Sequence, residues 1–118
     1  MSDIARAHVT MLATTSARVA ANELAKGDVL ATARFAGVHA ARASASLVPS
    51  IPAASLADVT LRLEVGEGWV DVVASGAADA AAQGLVAVTV AALTVYDMCK
   101  AVDRTMSVDV EAVAAPPD

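Results

Sequence analysis

Asp97, Lys100 and Arg104 are the residues whose types and spacing best suit chemistry in this chain. They close a long apolar run, with Leu93-Thr94-Val95-Tyr96 before them. On a helix, the positions three and seven residues beyond Asp97 share its face, so a carboxylate and two cations gather at one helix end. Such a set can move protons: a lysine serves as acid or base, and an aspartate tunes its protonation. A solvated i,i+3 ion pair would merely steady the helix. The apolar surroundings favour the chemical reading, because a charged pair there has less water around it.

Other reactive residues point elsewhere. Tyr96 and Cys99 read as packing residues, since a lone buried cysteine behaves as a small hydrophobe. A nucleophilic Cys99 beside Lys100 is the sharper alternative. His8 and His39 stand far apart without zinc-type spacing, so neither a metal nor a cofactor is expected. Arg34 suits structural hydrogen bonds, and Arg42 can face either substrate or solvent. Trp69, at the start of a strand, is expected at a sheet edge or a subunit contact.

Composition sets what must hold these groups. The 118 residues are 57% hydrophobic but only 3% aromatic, so Ala, Val and Leu must build the core. The net charge of -5 argues against a nucleic-acid surface. The apolar excess and a mean hydropathy of +0.58 point to a homo-oligomer, at least a dimer. The run from Gly84 to Val95 is too short for a membrane span, which needs about 20 apolar residues. Met1–Arg6 shows no charged lead before an apolar core. With one cysteine and hence no intrachain disulfide, the expected location is the cytoplasm.

Periodicity predicts a helix over 3–24, with Ile4, His8, Met11 and Leu12 on one stripe. Gly27 suits a helix stop and Asp28 the N-cap of a second helix over 29–46. Residues 47–52 hold two prolines and read as loop or extended chain. Val59, Leu61, Leu63 and Val65 alternate with polar residues, and 57–75 reads as a hairpin around Gly66-Glu67-Gly68. Residues 79–103 mix helix and strand preferences. Met106–Val113 alternates as a final strand, and the tail 115–118 is expected to fray. The order helix, helix, strand, strand, helix, strand gives a single-domain α+β fold, an antiparallel sheet with helices on one face.

Two segments resemble one family closely: Lys26-Gly27-Asp28-Val29-Leu30-Ala31-Thr32-Ala33-Arg34-Phe35-Ala36-Gly37, and Val90 through Arg104. They are similar to the MoaC family, the cyclic pyranopterin monophosphate synthases of molybdenum cofactor biosynthesis. The resemblance implies a ferredoxin-like fold, a helix over 79–103, a hexamer of dimers and pockets at subunit interfaces. It places Lys26, Asp97 and Lys100 at active-site positions. The family reaction it implies turns a cyclised GTP derivative into a pyranopterin bearing a cyclic phosphate, with release of pyrophosphate.

The chain departs from the pattern in two places. Where the family has Leu-Ile-Pro-Leu-Cys-His-Pro-Leu, Ile51 and Pro52 replace the cysteine and histidine. Where it has Gly-Lys-Thr-Gly-Val-Glu-Met-Glu, the chain reads Gly76-Ala77-Ala78-Asp79-Ala80-Ala81-Ala82-Gln83. On sequence alone the leading expectation is therefore a repurposed enzyme that cyclises, isomerises or eliminates on a small molecule. Lys26, Asp97 and Lys100 would be catalytic, and Arg42, Ile51, Pro52 and Arg104 would line the substrate. The alternatives are retained pyranopterin synthesis and a non-catalytic scaffold subunit.

Overall fold

The computed structural model describes residues 2–52 and 58–113. Its first element is a strand, β1 (Ser2–Thr10), and not the helix expected over 3–24. Ala5, Ala7 and Val9 alternate with Arg6, His8 and Thr10, so a period of two lay beneath the helical stripe. Period two wins because β1 has a strand on each side, which satisfies its backbone and buries Ala5, Ala7 and Val9 completely. Only α1 (Ala13–Ala20) remains of the expected helix.

The second expected helix divides into α2 (Val29–Arg42) and the single turn α3 (Ser44–Leu47). Gly27, at φ +113°, takes a left-handed turn that costs glycine little. Asp28 then caps α2, its carboxylate accepting from the Ala31 amide at 3.0 Å. The expected hairpin is β2 (Thr60–Gly66) and β3 (Trp69–Gly76). Its first residue, Ala57, lies outside the described residues, as do Ala53, Ala54 and the tail 114–118. A 3₁₀ turn, Ala78–Ala80, leads into α4 (Ala81–Cys99), and β4 (Ser107–Ala112) follows.

The sheet is antiparallel, in the order β2-β3-β1-β4. Because β1 and β2 each run antiparallel to β3, they are parallel to one another, with β3 inserted between them. That is the split β-α-β arrangement of ferredoxin-like folds. The helix-facing side of the sheet presents Val9, Val70, Val72 and Leu61 to Ala87, Val88, Ala91 and Val95 of α4 and to Ala33 of α2.

Small residues bring α2 and α4 close. A Cβ built on Gly37 would lie 2.4 Å from Leu61 Cδ1 and 2.8 Å from the Ala87 carbonyl oxygen. The apolar helical stretch Ala78–Cys99 is 22 residues, longer than the run read from sequence and sufficient by length and composition to cross a membrane. Its stripe Ala87, Val88, Ala91, Ala92, Val95 and Cys99 instead packs on the sheet and α2 as the core helix of this fold.

The opposite sheet face is polar. Arg62 donates to both Asp3 carboxylate oxygens, at 2.9 and 3.2 Å. His8 meets Asp71 and stacks on Trp69, with ring centroids 6.0 Å apart. Trp69 therefore belongs to an interior strand and not to the sheet edge. Its ring covers Gly66, where a Cβ would come within 2.1 Å of it.

Candidate functional site

α4 ends at Cys99, and Lys100 is its C-cap, the Lys100 amide donating to the Tyr96 carbonyl at 2.9 Å. Asp97 thus stands in the last turn and Lys100 just beyond it. The Lys100 ammonium reaches Asp97 Oδ1 at 2.8 Å. A second ammonium arrives from the turn between α1 and α2: Lys26 Nζ donates to the Asp97 carbonyl oxygen at 3.1 Å and lies 3.8 Å from Asp97 Oδ2. The last carbonyls of a helix lack intrahelical partners and carry partial negative charge, so a cation suits that position.

Lys26 and Lys100 are the only lysines in the sequence. Both converge on one aspartate, Lys26 from 71 residues away in sequence, and their rarity is the sequence signal that marks them. The hydrogen bond from Lys100 holds the Asp97 carboxyl below the usual carboxylate range, assisted by the charges of Lys100 and Lys26. Reciprocally, Asp97 holds Lys100 above the usual lysine range. At neutral pH the pair is ionic, so Lys100 stands ready as an acid or as a stabiliser of developing negative charge.

Arg104 does not share the helix face expected for it, because α4 stops at Cys99 and the chain turns. Its charge is still near enough to oppose protonation of Lys100. Cys99 is fully buried, and burial first, then the charge of Asp103, pushes its thiol up. It has neither the access nor the thiolate a nucleophile needs. Tyr96, expected to pack, is instead partly exposed beside Leu93, which is 59% exposed. Leu93, Tyr96, Asp97 and Lys100 follow the i, i+3, i+4, i+7 spacing of one helix face.

Of the remaining expected site residues, Arg42 closes α2 at the end away from the cluster. Gly37 faces Ala87 and Ala91, while Lys26, before the start of α2, faces Asp97. The two helices are therefore antiparallel, and Arg42 lies by the start of α4. At 1.5 Å per residue it is roughly 20 Å from the start of α2. Ile51, buried, and Pro52, exposed, come after α3, beyond that same end of α2. The run Ala77–Ala82 opens α4 there too.

In chain order the departures follow α3 and lead into α4, whereas Lys26, Asp97 and Lys100 meet at the far end of α4. A groove of about 690 Å³ between α1, α2 and β2 is lined by Val19, Leu30, Arg34, Phe35, Val38 and Leu63, and holds none of the three. Their side chains are about half exposed.

A family model described as the MoaC family matches residues 2–115. The cyclic pyranopterin monophosphate synthase of Roseiflexus sp. (strain RS-1) is 43% identical over 111 residues, covering 89% of this chain and 70% of that protein. The protein of the same name from Desulfitobacterium hafniense (strain DSM 10664 / DCB-2) is 40% identical over 109 residues, or 86% of this chain and 66% of that one. The molybdenum cofactor biosynthesis bifunctional protein of Chlorobaculum tepidum (strain ATCC 49652 / DSM 12025 / NBRC 103806 / TLS) is 38% identical over 108 residues, 88% of this chain and 35% of the longer protein.

Proposed function

The chain belongs to the MoaC family, and from that premise we propose that it is a cyclic pyranopterin monophosphate synthase acting in molybdenum cofactor biosynthesis. This reverses the ranking drawn from sequence alone, because relatives such as those at 43%, 40% and 38% identity from Roseiflexus, Desulfitobacterium and Chloroflexus carry that name. The observation that carries the proposal is the convergence of Lys26 and Lys100 on Asp97. The reaction requires proton transfers at several centres and neutralisation of a triphosphate. Lys100, held protonated by Asp97, supplies a proton or a positive charge. Lys26 supplies the second ammonium, and Arg104 adds positive charge toward the phosphates.

A half-exposed cluster needs cover before its electrostatics become strong. We assign that cover to a second copy of the chain, whose Arg42, Ile51 and Pro52 close over Lys26, Asp97 and Lys100. The exposed Leu93 and Tyr96 beside the cluster support this. The working form is then a homo-oligomer, a dimer or hexamer, of single-domain subunits in the cytoplasm.

The test is direct. Purified protein incubated with the cyclised GTP derivative should release pyrophosphate and yield the cyclic phosphate product. No product from an intact oligomer at high enzyme concentration overturns the proposal. The repurposed enzyme would then take its place, favoured by the apolar replacements that follow α3 and lead into α4, with a substrate lacking the triphosphate.

A further inference from the structure

Asp103 is buried, 2% exposed, and the chemistry above does not use it. Both its oxygens are engaged. Oδ2 accepts from the Leu12 amide at 2.9 Å and from the Thr15 hydroxyl at 2.8 Å. Oδ1 accepts from the Thr105 amide at 2.8 Å and the Thr105 hydroxyl at 2.7 Å. Helix α1 begins after Leu12 with no side-chain cap of its own. The Asp103 carboxylate, 91 residues away in sequence, stands where that cap would be and where the helix dipole favours an anion.

The far end of α1 delivers Lys26. The helix is roughly 12 Å long at 1.5 Å per residue. Backbone bonds then close the turn after it: Asn22 to Val19 at 3.1 Å, Glu23 to Arg18 at 2.9 Å and Gly27 to Leu24 at 3.1 Å. Leu24 is buried. A stiff path therefore runs from the end of α4 through Asp103, along α1 and the turn, and back to the end of α4 as Lys26 meets Asp97.

We propose that Asp103 is a positioning residue: by fixing the start of α1 to the segment after α4, it sets the separation of Lys26 from the Asp97–Lys100 pair. This rests on the reading of those three residues as the site. It adds a role for a buried carboxylate that touches no substrate. Oδ1 ties Asp103 to its own segment through Thr105, and release of Oδ2, the oxygen that holds Leu12 and Thr15, lets α1 shift along its axis and carries Lys26 away from Asp97. Lys100 keeps its contact, because that contact lies within one turn of chain.

The two lysines provide the readout. The native protein is reductively methylated with formaldehyde and borohydride under limiting conditions, and peptide mass spectrometry gives the ratio of modified Lys26 to modified Lys100. Asp103→Asn and Thr15→Val should each raise that ratio roughly two- to thirteenfold, the range that loss of one net hydrogen bond gives. Thr15→Ser, which keeps the hydroxyl, should match the parent chain.

An unchanged ratio in an Asp103→Asn protein with parental circular dichroism overturns the proposal, and so does an equal rise at both lysines. If Asp103→Asn does not fold, the Thr15→Val and Thr15→Ser pair decides on the same criterion. In an enzyme active on the cyclised GTP derivative, Thr15→Val should lower kcat and leave KM unchanged; a changed KM with kcat intact counts against positioning. Absence of turnover in the parent chain sinks the proposed function alone, because the labelling ratio still judges the role of Asp103.

Discussion

At Asp97 two opposite shifts meet in one ion pair, and each can be read in kinetics. Lys100→Ala should lower kcat by about 10²–10⁴-fold, the usual worth of a positioned acid or base. The pair is exposed, so the melting temperature should hardly move. Asp97→Asn tests the coupling. The Asp97 carboxylate raises the pKa of Lys100, so its removal lets that pKa fall. The basic limb of kcat/KM, where Lys100 loses its proton, should then move to lower pH. A limb that stays in place separates Lys100 from the reaction. The resemblance of two segments singled out Lys26, Asp97 and Lys100, and the structure brings these three side chains together. Asp103 was not singled out, because its partners Leu12 and Thr15 lie 91 and 88 residues away and no local pattern marks them.

Among the elements, β2 and β4 were legible because polar and apolar residues alternate along each at period two, and β3 because it returns from the Gly66-Glu67-Gly68 turn. β1 was misread because alanines at 5 and 7 and a valine at 9 are too small to outweigh a coincident helical stripe. The deciding force, pairing on both edges, is non-local. α4 posed the reverse difficulty. Its valines favour a strand by propensity, and burial among α2, β1 and β3 overrides them. The close approach of α2 and α4 depends on Gly37 lacking a side chain. Gly37→Ala should cost about 1–3 kcal/mol through overpacking, because one neighbour is the Ala87 carbonyl, which cannot rotate away. Urea denaturation measures it; an unchanged midpoint would mean that the helices separate without strain.

For the molecule as a whole, two carboxylates with strongly lowered pKa values link stability to acid. Asp3 sits at a pKa of about 2, chiefly through its hydrogen bonds from Arg62 and then Ser75. Asp103 also sits at about 2: burial pushes it up, but the hydrogen bonds from Thr105, Leu12 and Thr15 prevail. Both pKa values are depressed in the fold, so their stabilisation is complete above the ordinary value of 3.8 and disappears as pH falls through about 2. The melting temperature should hold near pH 5 and drop between those two values. Arg62→Met should shrink the drop by freeing Asp3 to titrate nearer its ordinary range. Assembly makes the other prediction at this scale: light scattering at micromolar concentration should report a dimer or hexamer, and Leu93→Arg should lower both the mass and the turnover. A monomer with full activity contradicts the shared pocket.

The central place of β1 also governs how the chain is made. It leaves the ribosome well before both of its sheet neighbours, β3 and β4. Until residues 69–76 emerge β1 has no native partner, and its second edge stays open until β4 follows. The Asp103 anchor of α1 arrives equally late. Native pairing of β1 and anchoring of α1 must therefore wait until residues 103–112 have emerged, and contacts so distant in sequence slow folding. A nascent chain stalled near residue 60 should be digested by protease throughout, whereas the released chain should resist it.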